Sequence, residues 1–152
     1  MTPEDALPLA DKVIALNAAL ARSDFDYAFG GALALAYHVE DPRGTRDIDI
    51  NIFVSADRAE EVFRSLPTEV IWDAADLRTT LRDGQVRLFW GDTPVDLFLS
   101  THEFHDEASL STREVPFDGA RIPILGATEL TVFKAFFNRT QDWADIEKMV
   151  AV

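Results

Sequence analysis

Apolar residues recur along this chain at two periods, and each change of period marks a new element. Leu9, Val13, Leu16 and Leu20 fall three and four apart, which predicts an amphipathic helix over residues 6–21. Thr2-Pro3-Glu4-Asp5 reads as its start: a hydroxyl cap, a proline, then acids in the first turn. After a break at Ser23-Asp24, residues 27–29 read as a short buried strand. That strand delivers the chain to Gly30-Gly31, and residues 32–38 read as helical. Asp41-Pro42-Arg43-Gly44 is a turn cluster. From Asp47 the period drops to two, so successive side chains point to opposite faces of a strand over residues 47–54. Ile48, Ile50, Ile52 and Val54 form one face; Asp47, Asp49 and Asn51 form the other.

Helical spacing returns at Ala59, Val62, Phe63 and Leu66, with Ser55-Ala56-Asp57 as the expected cap and Pro67 as the stop. Residues 69–72 read as a strand. Asp83-Gly84 and Gly91-Asp92 are hairpin turn signals on either side of residues 85–90. Residues 93–100 alternate again, with Val95, Leu97 and Leu99 on one face and Asp96 with Phe98 on the other. Residues 101–110 read as helical, and residues 114–117 and 121–125 as a hairpin through Asp118-Gly119. Two closing helices are expected over 127–152, broken near 138–141, with Leu130, Phe133, Lys134 and Phe137 on one and Trp143, Ile146 and Val150 on the other. No internal repeat, low-complexity stretch or linker interrupts this order. The expectation is one domain, 1–152, of the α+β (mixed α/β) class.

Composition narrows the chemistry. At 152 residues the chain is long enough to bury a core, and 47% hydrophobic with 27% charged residues is ordinary for a globular domain. The absence of cysteine excludes disulfides, thiolate metal sites and cysteine nucleophiles. The start is acidic and lacks a basic segment followed by an apolar run, and residues 29–37 fall far short of the ~20 apolar residues of a membrane span. A cytoplasmic protein with no membrane association is the expectation. The formal net charge is −13, from 14 Lys and Arg against 27 Asp and Glu. Affinity for a polynucleotide comes from cations that neutralise phosphates, so this chain is not expected to grip long DNA or RNA unaided. A small phosphorylated ligand or a basic protein partner remains compatible with the charge.

The candidate site follows from the strand faces. Asp47 and Asp49 place two carboxylates side by side, where like charges repel unless a cation neutralises them. Hard oxygen ligands suit Mg²⁺ or Mn²⁺. Asp96 completes a second metal position if its strand pairs beside theirs. A glycine pair at a strand-to-helix turn lets phosphate approach exposed backbone N–H groups. His102-Glu103-Phe104-His105 has neither the zincin spacing nor a third ligand, so zinc is set aside.

Together, Gly30-Gly31, Asp47-Ile48-Asp49-Ile50 and Val95-Asp96-Leu97 resemble the signature of the DNA-polymerase-beta-like nucleotidyltransferases. The spacing of Gly30-Gly31, His38, Arg43-x-Thr45-x-Asp47-Ile48-Asp49 and, in the tail, Lys134, Arg139-x-x-Asp142-x-x-Asp145-Ile146 is similar to the small bacterial branch that includes AbiEii-type abortive-infection toxins. The resemblance implies a minimal nucleotidyltransferase fold: a central mixed β-sheet flanked by helices, with a C-terminal helical pair. It implies that Asp47, Asp49 and Asp96 bind Mg²⁺ (or Mn²⁺) and that Asp96 activates an acceptor hydroxyl. A nucleoside monophosphate then passes from an NTP to a small molecule, a protein or an RNA end. Gly30, Gly31, Arg43, Thr45, Arg46, Lys134 and Asp142 are the matching nucleotide-binding candidates. The five that are not glycine have a plainer reading too: Arg43 and Arg46 balance Glu40 and Asp41, Thr45 shapes its loop, Lys134 makes a structural ion pair, and Asp142 caps the last helix.

Two departures stand out. The glycine pair lacks the serine common in the family, so Gly31 has only its backbone to offer a phosphate. The chain also lacks the length for the additional helical domain that many relatives carry. A catalytically silent member that senses nucleotide, or pairs with an antitoxin or other protein, is therefore the competing expectation. A metal-dependent glycosyltransferase ranks third, because its nucleotide-binding half needs about 100 residues ahead of the acid pair and only 46 precede Asp47.

Overall fold

The computed structural model describes residues 7–35, 46–100 and 112–126. The helix start at residues 2–5, the turn cluster with Arg43 and Thr45, the 101–110 helix with the His102 pair, and the C-terminal helices with Lys134 and Asp142 lie outside the described residues.

The first helix, α1 (Leu9–Ala21), begins after Pro8 and buries Val13, Leu16 and Leu20. This is the stripe expected from the spacing. Lys12 is buried on the same helix, and its Nζ donates to the Trp90 carbonyl (3.2 Å) and to Thr93 Oγ1 (2.8 Å). A buried ammonium is tolerated where its protons find acceptors, and here the acceptors sit at the tip of a hairpin, so the contact docks α1 on that hairpin. Strand β1 (Tyr27–Phe29) follows, then the short helix α2 (Gly31–Leu35).

Strand β2 (Ile48–Ser55) runs antiparallel to β1 and parallel to a later strand, β5 (Thr93–Ser100). Ile48, Ile50 and Ile52 pair in register with Val95, Leu97 and Leu99, and all six are buried. The register slips beyond Ile52, where Ser55 rather than Phe53 comes opposite Ser100. A bulge of this kind bends the strand and turns its end off the face. Val54 was expected in the core stripe and is only half-buried for that reason.

After β2 a 3-10 turn (Ala56–Arg58) precedes α3 (Ala59–Ser65). Ala59, Val62, Phe63 and Leu66 are buried as the spacing predicts. Ser55 makes no side-chain cap, contrary to expectation, because the tighter turn intervenes between it and the helix. Strand β3 (Val70–Ile71) is shorter than the expected 69–72. The segment after it holds a helix that the apolar pattern did not announce, α4 (Ala74–Asp83). Asp73 and Asp76 cap it reciprocally, at 3.0 and 3.1 Å, and Gly84 closes it at φ 73° with its N–H on the Thr80 carbonyl. Asp83-Gly84 is thus a helix end, not a hairpin turn.

Strand β4 (Gln85–Trp90) and β5 form the expected hairpin over Gly91-Asp92, and β6 (Arg113–Phe117) and β7 (Ala120–Ile124) form one over Asp118-Gly119. Among the described residues the strands make one seven-stranded sheet in the order β3-β4-β5-β2-β1-β7-β6, with parallel pairs β2–β5 and β1–β7 and the rest antiparallel. This mixed sheet with its helices is the α+β architecture the sequence predicted. Among the described residues no helix is long and apolar enough to cross a membrane.

Candidate active site

The acidic face of the sheet is built by register. Asp49 stands opposite Asp96 across the β2–β5 pair, and Arg87 stands opposite Asp96 across the β4–β5 hairpin. On the other side of β2, the Gly30 N–H donates to the Asp49 carbonyl at 2.9 Å. One row across the sheet therefore reads Arg87, Asp96, Asp49, Gly30. Asp47, one residue ahead of β2, joins it through its contact with Arg87.

The glycine pair is held in place by what its missing side chains leave room for. Gly31 has φ +56°, a left-handed conformation, and a Cβ there would overlap the Asp49 carboxylate, 2.7 Å from its Cγ. A Cβ on Gly30 would meet Asn51 Nδ2 at 2.9 Å and Leu125 Cδ1 at 3.2 Å. Asn51 is buried on the same face as the acids. The Gly30 carbonyl then accepts from the Ala34 N–H at 3.2 Å and so opens α2. The glycine bend and the acid strand are thus in contact, and the space at Gly31 is taken by a carboxylate oxygen.

Electrostatics on this face centre on Arg87. Its Nε donates to Asp96 Oδ1 at 2.8 Å and its Nη2 to Asp96 Oδ2 at 2.9 Å, a two-point fork. The same Nη2 reaches Asp47 Oδ2 at 3.3 Å. Hydrogen bonding to Asp96 holds the guanidinium proton above its ordinary range, against some desolvation, with the charges of Asp96, Asp47 and Asp49 adding to it. The Asp96 side chain is only 15% exposed, against 43% for Asp47 and 49% for Arg87. The acid expected on a strand beside the pair is therefore turned into the site and not out to solvent.

Of the other sequence candidates, Arg46 is exposed next to Asp47; Arg43, Thr45, Lys134 and Asp142 lie outside the described residues. Arg87 was not among the candidates, although the hairpin signal locates it. With Gly91-Asp92 as the turn, Trp90 faces Thr93, and counting back places Arg87 opposite Asp96.

As to a metal, three carboxylates are a donor set suited to a hard divalent ion. Yet among the described residues no three His, Cys, Asp or Glu side chains are gathered closely enough to hold one. The guanidinium of Arg87 engages both oxygens of Asp96.

No family model matches the chain, and no curated protein sequence does. Solved structures do match over almost its whole length. The lincosamide antibiotic adenylyltransferase LnuA, lincomycin-bound, superposes with a TM-score of 0.60 at 12% identity, covering 91% of this chain and 94% of that one. ANT(2'')-Ia in complex with adenylyl-2''-tobramycin superposes with a TM-score of 0.64 at 14% identity, covering 93% and 87%. An antigenic nucleotidyltransferase-like protein from Paracoccidioides brasiliensis gives 0.53 at 17% identity, covering 91% and 73%. The fold is a nucleotidyltransferase fold. Within it, Asp49 and Asp96 occupy neighbouring central strands and the Gly30-Gly31 bend closes against Asp49.

Proposed function

We propose that this chain is a metal-dependent nucleotidyltransferase that moves a nucleoside monophosphate from an NTP to a hydroxyl of a small-molecule acceptor. The observation that supports this reading is the cross-strand register that sets Asp49 opposite Asp96 beside a glycine bend, with the Asp49 carboxylate in the space a Gly31 Cβ would fill and Asp47 linked to Asp96 through Arg87. Asp47, Asp49 and Asp96 would hold Mg²⁺ or Mn²⁺. Such ions, when bound, offset charge on the attacking and leaving oxygens of an in-line displacement. Asp96, the least exposed of the three side chains in the Arg87 cluster bar none, is assigned to take the proton from the acceptor hydroxyl as its oxygen bonds to the α-phosphorus. The bond to the β-phosphate breaks and pyrophosphate leaves. Gly30, Gly31, Arg43, Thr45, Arg46, Lys134 and Asp142 are assigned to the nucleotide.

A small-molecule acceptor is favoured by two things. The structural neighbours include a lincosamide adenylyltransferase and an enzyme complexed with adenylyl-tobramycin. The net charge of −13 also disfavours a polyanionic acceptor. The likeness of the sequence motifs to AbiEii-type toxins adds protein and RNA hydroxyls to the panel worth trying.

The test is incubation with each labelled NTP, Mg²⁺ and a panel of hydroxylated small molecules, RNA ends and co-expressed proteins, reading pyrophosphate release and label on the acceptor. Transfer to a small molecule that Asp49→Asn abolishes is the expected result. Nucleotide binding with no pyrophosphate release under any combination would move the assignment to a silent, partner-binding member of this fold.

A further inference from the structure

Arg87 sits where a metal reading of the acids would place a cation, and this is the least expected feature of the site. Its root is fixed by the β4–β5 hairpin, directly opposite Asp96. Its head takes both oxygens of Asp96 and one of Asp47, so one guanidinium spans the two acids. The Arg87 side chain is half exposed, whereas Asp96 is largely enclosed. A long side chain with an open flank can leave its partner by rotating about its own bonds, without moving a strand. The enclosed carboxylate cannot follow it. Among the described residues the acids are not gathered into a metal-holding group while Arg87 occupies Asp96 and Asp47.

We propose that Arg87 is a tethered cation that competes with a divalent ion for Asp96, so that the site alternates between a guanidinium-filled and a metal-filled state. In the first state Asp96 is held in position with its charge satisfied and the acid face is kept from repelling itself. In the second, Arg87 has swung to the open side of β4. The proposal rests on the reading of Asp47, Asp49 and Asp96 as metal ligands, and the experiment separates the two. A purely structural ion pair would make a different prediction: removing Arg87 would then loosen the hairpin and leave metal affinity unchanged or lower.

The measurement is Mn²⁺ titration of the full chain without nucleotide, following the signal of free Mn²⁺ by electron paramagnetic resonance, with melting curves to show that each variant is folded. Arg87→Met should bind Mn²⁺ about tenfold more tightly than the native chain, a difference of about 1.4 kcal/mol. Adding Asp96→Asn to Arg87→Met should remove that gain. Where Arg87→Met does not fold, Arg87→Lys, which keeps the charge and loses the two-point fork, should gain about threefold. Unchanged or weaker Mn²⁺ binding by a folded Arg87 variant would overturn the proposal, as would a gain that persists in the double variant. Binding that needs Asp47 and Asp49 but ignores Arg87 would keep the metal site and remove the competition. No binding by any variant would remove both.

Discussion

The same two strands, β2 and β5, present faces that differ in how they are held. On one, Ile48, Ile50 and Ile52 interlock with Val95, Leu97 and Leu99, and every member is buried. On the other, Asp49 faces Asp96 in the same register, with Asp47 and Arg87 alongside. The first face drives folding through apolar area removed from water. The second gathers like charges that oppose folding unless a cation sits among them. Register fixed by the apolar face is therefore what sets Asp49 opposite Asp96, so the buried side of the sheet dictates which charges its other side must accommodate.

Substitutions can break this division in order of expected size. Asp49→Asn should lower nucleotidyl transfer by on the order of 10³-fold while leaving the melting temperature unchanged or raised, because it removes a repelling charge from the row. Leu97→Ala, on the buried face at the same level of the sheet, should do the reverse. It should cost about 3 kcal/mol of folding free energy by chemical denaturation, with activity per folded molecule retained.

Gly31→Ala falls between the two faces, since its Cβ would have a positive φ and would also strike the Asp49 carboxylate. A loss of about 2 kcal/mol or more is expected from these together. Gly119→Ala, at φ +83° but with nothing within 4 Å, isolates the conformational part and should lose about 1 kcal/mol. Equal losses at the two glycines would mean that the carboxylate at Gly31 is not where the structure places it.

The smallest effect lies away from the site, at Tyr27. Burial, with the nearby charge of Glu114, pushes its hydroxyl up to about 12 from an ordinary 10.0. That hydroxyl donates to Asn17 at 3.0 Å (carbonyl) and approaches its Oδ1 at 2.6 Å. Because the folded-state value is the higher one, the contribution is intact below pH 10 and is lost as pH rises through the interval to about 12. Tyr27→Phe should flatten the fall of stability over that interval relative to the native chain, measured by denaturation at a series of pH values.

Much of this architecture was legible because it is written in short-range pattern. The alternation through Ile48–Ile52 and Val95–Leu99, the 3–4 spacing of α1 and α3, and the Gly91-Asp92 and Asp118-Gly119 turns each specify a local element. What escaped had another cause in each instance. The helix α4 has few buried residues and is announced mainly by its ends, Asp73-x-x-Asp76 and Gly84. Asp-Gly serves both a hairpin and a helix terminus, and local sequence does not choose between them. The bulge at Val54 depends on how two distant parallel strands slide against each other, which no turn sets, and the expected place of Asp96 beside the acid pair was conditional on that same pairing. Arg87 is the intermediate case, since its partner follows from the hairpin register once that hairpin is accepted.

The central claim is that this acidic face receives a metal-bound nucleotide, and thermal unfolding with Mg²⁺ and each NTP tests it most directly. A ligand at 100 times its Kd stabilises the folded state by about 2.7 kcal/mol, so the native chain should melt on the order of 5–10 °C higher with Mg²⁺ and its preferred NTP. Asp49→Asn should show no such rise. An equal rise in both proteins would place the nucleotide elsewhere, and no rise with any NTP would contradict the account.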